Sequence, residues 1–288
     1  MNTYTLEIAR LRLVFEAEAT MTFHRYLQPF LVQNTESAPD RRIVLRVAPA
    51  PQPKGELLFS DGRMAVYKEG AKEQRRYLMW SGDPASSENP ALIPGAQREY
   101  TLYLPPSHAE VLLNGGELTP LLALEQLFAQ NRRLILHSSV VLHNGSAVLF
   151  SAPSGVGKST HAALWEQCFG AEILNGDRCV IEQTEAGFTA HGSPYSGSSE
   201  VCKRKCAPIK GIFLLRQAPE NRAEPLSASA AFRRLFPQTV VNLWNPEQVQ
   251  TVTDLLAALM AKLQVYDLAC RPDIAAAELA EQILNSEF

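Results

Sequence analysis

Ser151-Ala152-Pro153-Ser154-Gly155-Val156-Gly157-Lys158-Ser159-Thr160 is the stretch on which the reading of this chain turns. It follows the Walker A (P-loop) pattern G-x-x-x-x-G-K-[ST], with Ala152 in the place of the first glycine. Its flanks carry as much weight as the pattern. Ala147-Val148-Leu149-Phe150 is a short apolar run suited to a buried strand, and His161 to Phe169 spaces its apolar residues along one helix face. Strand, glycine loop and helix together are the context that a phosphate-binding loop requires.

The residue types fit that chemistry. Gly155 and Gly157 permit a curled backbone whose N–H groups converge on an anion. The helix that follows adds unpaired N–H groups and a positive dipole end. Lys158 brings a full charge to the terminal phosphates, and the Ser159 hydroxyl has the length to ligate Mg²⁺. Ala152, Pro153, Ser154, Gly155, Val156, Gly157, Lys158, Ser159 and Thr160 are therefore the expected nucleotide-binding set, with ATP and Mg²⁺ as cofactors. Without ligand, Lys158 is expected to face solvent. The bland reading is an ordinary glycine turn between strand and helix.

Of the 288 residues, 46% are hydrophobic and 20% charged, the balance of an ordinary globular protein with room for two domains. A net charge of −3 offers no general attraction for nucleic acid or an anionic membrane. No apolar run reaches the length of a membrane span. Met1 to Glu7 lack a basic region followed by an apolar core, so no signal peptide is expected. Five cysteines in a chain of this size point to reduced thiols and a cytoplasmic location.

Residues 1–115 read as a β-rich domain. Leu11 to Phe15, Arg42 to Val47, Arg76 to Trp80 and Tyr100 to Leu104 read as strands. Leu57 to Phe59 and Met64 to Tyr67 form a hairpin about Asp61-Gly62. Ser81 to Gln97 reads as polar loop. Asn114-Gly115-Gly116 marks a break, and 116–288 the second domain. That domain opens with a helix over Thr119–Asn131, then a strand over Leu134–Leu142 hairpinned to the loop strand. Later strands are expected around Ile173, Val180, Thr189, Ile212 and Tyr266, with helices over Ala228–Phe236, Pro246–Leu263 and Pro272–Leu284.

Several residue types stand out around the loop. Asp177 closes a short strand soon after the loop helix, where it can ligate Mg²⁺ or accept the proton of an attacking hydroxyl; the bland reading is a turn aspartate. Cys202-Lys203-Arg204-Lys205-Cys206 suggests zinc, but no second ligand pair completes four. It is otherwise a phosphate-binding segment, with Arg204 as its phosphate-facing member, or a solvated basic loop. Glu200 is a further metal-ligand candidate. Trp165 and Trp244 read as core.

The second half resembles the HPr kinase and phosphoenolpyruvate carboxykinase superfamily, and within it the HPr-kinase-like proteins seen near peptide-modification genes. The resemblance rests on Ser154-Gly155-x-Gly157-Lys158-Ser159, His137 on the strand before the loop, and Asp177. Gly192-Ser193-Pro194-Tyr195-Ser196-Gly197 and Cys270-Arg271-Pro272-Asp273 add to it. It implies an α/β fold: a mixed-sheet P-loop kinase domain preceded by a β-rich N-terminal domain. It also implies a catalytic set of Asp177, Lys158 and His137, with Ser159 and Asp177 as metal ligands and His137 near the substrate phosphate. HPr kinases carry paired aspartates where this chain has Gly176-Asp177, and the glycine-rich signature of the reverse reaction is not evident.

The expected activity is ATP-dependent phosphotransfer to a hydroxyl of a protein, peptide or small molecule. The missing second carboxylate keeps open a nucleotide-binding accessory protein without turnover. A transporter ATPase fits less well, since neither a Leu-Ser-Gly-Gly signature nor an apolar run ending in Asp-Glu follows the loop. The acceptor's identity and homo-oligomer formation stay open.

Overall fold

The structure is a computed structural model that describes residues 1–33, 37–114 and 118–286. By contact the chain forms two compact units, Met1–Leu124 and Glu125–Phe288. Gly115 and Gly116, where the sequence suggests a break, lie outside the described residues.

The first unit is one mixed sheet. Its strands are β1 (Asn2–Ile8), β2 (Leu11–Ala17), β3 (Leu31–Val32), β4 (Arg41–Val47), β5 (Glu56–Ser60), β6 (Met64–Glu69), β7 (Lys72–Tyr77), β8 (Ala91–Pro94) and β9 (Glu99–Leu104), and α1 (Ala109–Leu113) follows. The order is β3-β1-β2-β4-β9-β8-β7-β6-β5, with β2, β4 and β9 mutually parallel and the other pairs antiparallel. Strand β2 shows the period-2 rule: Leu11, Leu13, Phe15 and Ala17 are buried, and the residues between them are less so. Asp61 builds the β5–β6 turn by accepting hydrogen bonds from the N–H groups of Arg63 and Met64.

Two expectations shift here. The strand placed at Arg76–Trp80 runs instead from Lys72 to Tyr77, because the turn at Gly70 sets the register Glu69↔Lys72 through Met64↔Tyr77. The polar segment after it contains β8, paired with β7 and β9. Strand β1 also went unread.

The helix expected over Thr119–Asn131 is broken. A 3-10 turn over Thr119–Leu122 ends at Ala123, which adopts a left-handed φ of 48°, and α2 (Leu124–Gln130) starts anew. Arg41, itself buried, donates to the carbonyls of Leu122 and Ala123, and the Tyr77 hydroxyl donates to Leu121. These bonds tie 118–124 to the first unit, so the division falls after Leu124 rather than at 115/116.

The second unit continues with β10 (Arg133–His143), β11 (Ser146–Ser151), α3 (Lys158–Phe169), β12 (Glu172–Asn175), β13 (Arg178–Thr184) and β14 (Gly187–His191). After these come β15 (Cys206–Gln217), β16 (Arg222–Pro225), α4 (Ala228–Leu235), β17 (Thr239–Val240), α5 (Pro246–Lys262), β18 (Val265–Cys270) and α6 (Ile274–Ser286). The long strands β10 and β15 change partners along their length. Strand β10 pairs β13 through Arg133–His137 and β11 through Ser138–His143. Strand β15 pairs β14 at its start, then runs parallel to β11 and β18.

Alternation along these strands divides the core between two helix layers. Val148, Phe150, Phe213, Leu215 and Leu268 pack with Ala162 and Trp165 of α3 and Ala277, Ala280 and Leu284 of α6. Ala147, Leu149, Ile212, Leu214 and Val265 pack with Ala231 and Leu235 of α4 and Val252, Leu255, Leu256 and Leu259 of α5. Caps delimit the helices: the Ser227 hydroxyl accepts from Ala230 N, Asn245 accepts from Gln248 N ahead of Pro246, and Gly170 ends α3 at a left-handed φ. The parallel strands β11, β15 and β18 thus end on one edge, where open α/β sheets place their ligand crevice.

Candidate functional site

The loop of 152–157 joins the end of β11 to the start of α3. Gly155 and Gly157 have φ of 80° and 121°, conformations that strain a residue with a side chain. A Cβ on either would meet nothing within 4 Å, so the constraint is backbone conformation and not crowding. No side chain caps α3, which leaves its first N–H groups for an external acceptor.

Lys158 departs from expectation. Its side chain is folded inward, and the residue is 7% exposed. Its ammonium donates to the carbonyls of Ala152 at 3.0 Å and Pro153 at 3.3 Å. The loop wraps its own lysine, which gives the ammonium two acceptors in place of water. Burial lowers the Lys158 pKa, and the negative charge of Asp177 opposes that shift. Ser159, Thr160 and Ser154 are exposed.

Asp177 and His137 meet. Strand β10 presents His137 Nε2 at 3.3 Å from Asp177 Oδ1. Backbone bonds fix both: Ser138 N donates to the Asp177 carbonyl, and the Ser151 hydroxyl donates to the His137 carbonyl at 2.8 Å. The hydrogen bond from His137 holds the Asp177 carboxyl below the ordinary carboxylate range, against the effect of burial, and the charges of Arg178 and Lys158 add to it. One site therefore holds the loop lysine, the carboxylate and the imidazole.

The residues that hold Asp177 in place were not singled out from sequence. Asn175 is fully buried, and its Oδ1 accepts from the N–H groups of Asp177 at 3.0 Å and Arg178 at 2.8 Å. Its amide donates to the carbonyls of Ser193 and Tyr195. An Asn-Gly-Asp turn carries that signal, because Asn bonds backbone two residues on. The glycines of the 192–197 loop have steric causes. A Cβ on Gly192 would lie 1.9 Å from the Lys203 carbonyl oxygen, and one on Gly197 would lie 2.7 Å from Asp177 Cβ. On the other side of the histidine, Gln238 Oε1 lies 3.1 Å from His137 Nδ1.

The basic segment runs beside the end of β12. Lys203 and Lys205 both pair with Glu172, and their chain bonds to Leu174 and Gly192. Arg204 is exposed. Glu200 adopts a left-handed φ of 55° after a short 3-10 turn. Among the described residues no group of three His, Cys, Asp or Glu side chains could hold a metal ion, and Cys202 and Cys206 form no disulfide. The Ser159 hydroxyl and the Asp177 carboxylate are oxygen donors of the kind that Mg²⁺ takes beside phosphate and water.

Cavities flank the loop on both sides. One of about 410 Å³ lies between Gly155, Val156 and Thr160 and the strand ends at Gln217 and Arg271. Its wall includes His161, whose Nε2 is buried without a hydrogen-bond partner and whose pKa burial lowers to about 4. The other, of about 250 Å³, lies between Ser151 to Pro153 and the α4 end.

Among the described residues no helix is long and apolar enough to cross a membrane. No curated protein matches the sequence. A solved structure, the Hpr(Ser) kinase/phosphatase from Coxiella burnetii, is similar over 53% of this chain and 89% of that chain, with 11% sequence identity. Its TM-score of 0.31 is too low to support an argument. A family model described as SynChlorMet cassette protein ScmC matches residues 118–271, more than half of the chain, and the chain therefore belongs to that family.

Proposed function

We propose that the second unit is a P-loop phosphotransferase domain of the HPr-kinase type, which uses ATP and Mg²⁺ to phosphorylate a hydroxyl. The observation that carries this reading is the His137–Asp177 contact, held in electrostatic reach of the loop lysine. An ordinary glycine turn needs no such carboxylate. Bound at the loop, ATP supplies the phosphoryl group and its leaving group. The N–H groups of 155–160 and the Lys158 ammonium would hold phosphate oxygens, and Ser159 and Asp177 would hold Mg²⁺. Asp177, a carboxylate at neutral pH, accepts the proton of the acceptor hydroxyl. His137 fixes the carboxylate's orientation. Catalysis then consists mainly of positioning and charge neutralisation. We place the nucleoside in the cavity beside Gln217 and Arg271, and assign partner recognition to the β-rich first unit.

A second reading, a nucleotide-binding accessory protein, is favoured by the single carboxylate at Gly176-Asp177. Incubation with γ-labelled ATP and a panel of hydroxyl-bearing peptides, hydroxy amino acids and hydroxy acids, followed by mass spectrometry, separates the two. Transfer to any acceptor supports the kinase. Nucleotide binding without transfer supports the accessory protein.

A further inference from the structure

The smaller cavity is built differently from the loop. It is lined by Ser151 and Pro153 at the end of β11, by Leu214 of β15, and by Arg233, Arg234 and Gln238. Among the described residues its charged lining consists of the two arginines alone. They are not equivalent. Arg234 is committed: it pairs with Asp267 and donates to the Leu214 carbonyl at 3.1 Å. Asp267 is shared, since Arg216 also binds it at 2.8 Å. Arg233 is exposed, donates to the Ser229 hydroxyl at 2.7 Å, and has no carboxylate partner among the described residues. Arg216, Arg233 and Arg234 against Asp267 and the neighbouring Glu224 leave this corner with excess positive charge.

The cavity also touches both halves of the proposed chemistry. Ala152 and Pro153 line it, and their carbonyls hold the Lys158 ammonium. Gln238 lines it, and its side chain meets His137. A volume of about 250 Å³ admits a small molecule or one residue of a chain. Resting on the phosphotransfer reading, we infer that this cavity binds the acceptor, and that the acceptor carries an anionic group, carboxylate or phosphate ester, near its hydroxyl. The Arg233 guanidinium reads that anion through its planar fork, while the hydroxyl points past Gln238 toward Asp177.

The test is calorimetric and needs no turnover. Glycerol 3-phosphate, glycerate and glycerol are titrated into the full chain, with and without saturating Mg²⁺ and a non-hydrolysable ATP analogue. The phosphate and carboxylate arms distinguish the two anions, and glycerol is the neutral control. The expected result is that at least one anion binds the nucleotide-loaded chain and glycerol does not. Arg233→Gln, an exposed change that spares the core, weakens that anion at least about tenfold with analogue affinity unchanged. Equal binding of anions and glycerol, or anion affinity unmoved by Arg233→Gln, overturns the inference and leaves the nucleotide reading intact. Loss of analogue affinity in Arg233→Gln also overturns it, because the arginine would then serve the nucleotide phosphates. Failure of the parent to bind the analogue removes the nucleotide reading instead, and the titrations on the free chain still decide whether Arg233 holds an anion.

Discussion

Gly176 faces Ser199 so closely that a Cβ built on it would lie 1.8 Å from the Ser199 hydroxyl oxygen and 2.4 Å from Ser199 Cβ. The Ser199 hydroxyl is itself held, donating to the Ser196 carbonyl at 2.8 Å. The space beside Gly176 is therefore filled by a neighbouring loop. Gly176→Asp should lower stability by about 1–3 kcal/mol through overpacking. Adding Ser199→Gly should recover part of that loss by opening the space. Urea denaturation reads both, and an unchanged midpoint for Gly176→Asp would show that the 196–199 turn yields freely.

Lys158→Ala removes the charge that the loop holds ready for phosphate. ATP binding should weaken by the worth of a charge-assisted hydrogen bond, about 1.5–3 kcal/mol. Because the lysine is buried against Ala152 and Pro153, the substitution also strips two carbonyls of their donor. A modest fall in melting temperature is expected, which a solvent-facing lysine would not cause. Calorimetry and thermal unfolding check the two effects separately. Equal ATP affinity in mutant and parent would remove the loop as a nucleotide site.

Much of this was legible because the signals are local. Strand, loop and α3 follow from 147–169, where the apolar period changes from strand to helix about two glycines. Asp177 and His137 were legible as residue types, but their contact was not, since it depends on the pairing of β10 with β13. The pairing of Lys203 and Lys205 is hidden for the same reason. Their partner, Glu172, lies far back in sequence and meets them only because the basic segment runs along β12. The break at Ala123 is also hidden, because leucine spacing there reads as one helix while carbonyls of 121–123 bond to Tyr77 and Arg41.

His161 should make stability pH-dependent. Its folded pKa is lowered from 6.5 to about 4 by burial, so the unfolded chain takes up the proton first. The contribution is fully present above pH 6.5 and is lost as pH falls toward 4, with a slope of up to about 1.4 kcal/mol per pH unit. His161→Phe keeps a ring beside Phe150, whose centroid lies 4.5 Å from that of His161, and removes the titration. The difference in unfolding free energy between parent and variant should therefore change across that window. A constant difference from pH 7 to pH 4 would show that His161 does not titrate between folded and unfolded states.

Asp177→Asn separates the kinase from the accessory protein. Asparagine keeps the shape of the side chain, and the Asn175 bonds to this turn run to backbone N–H groups, so the local fold should persist. What is lost is the negative charge facing Lys158 and His137, together with the proton acceptor. Nucleotide affinity measured without Mg²⁺ should stay within a few-fold of the parent, because the loop amides and Lys158 are untouched. Phosphotransfer should slow by about 10²–10⁴, the usual worth of a general base. Single-turnover transfer from labelled ATP, set beside calorimetric affinities, gives both numbers. Equal transfer rates would exclude Asp177 from the chemistry. A parent that binds ATP but transfers to no member of a broad hydroxyl panel would move the reading to the accessory protein, with Asp177 then serving only to hold His137 and the loop in register.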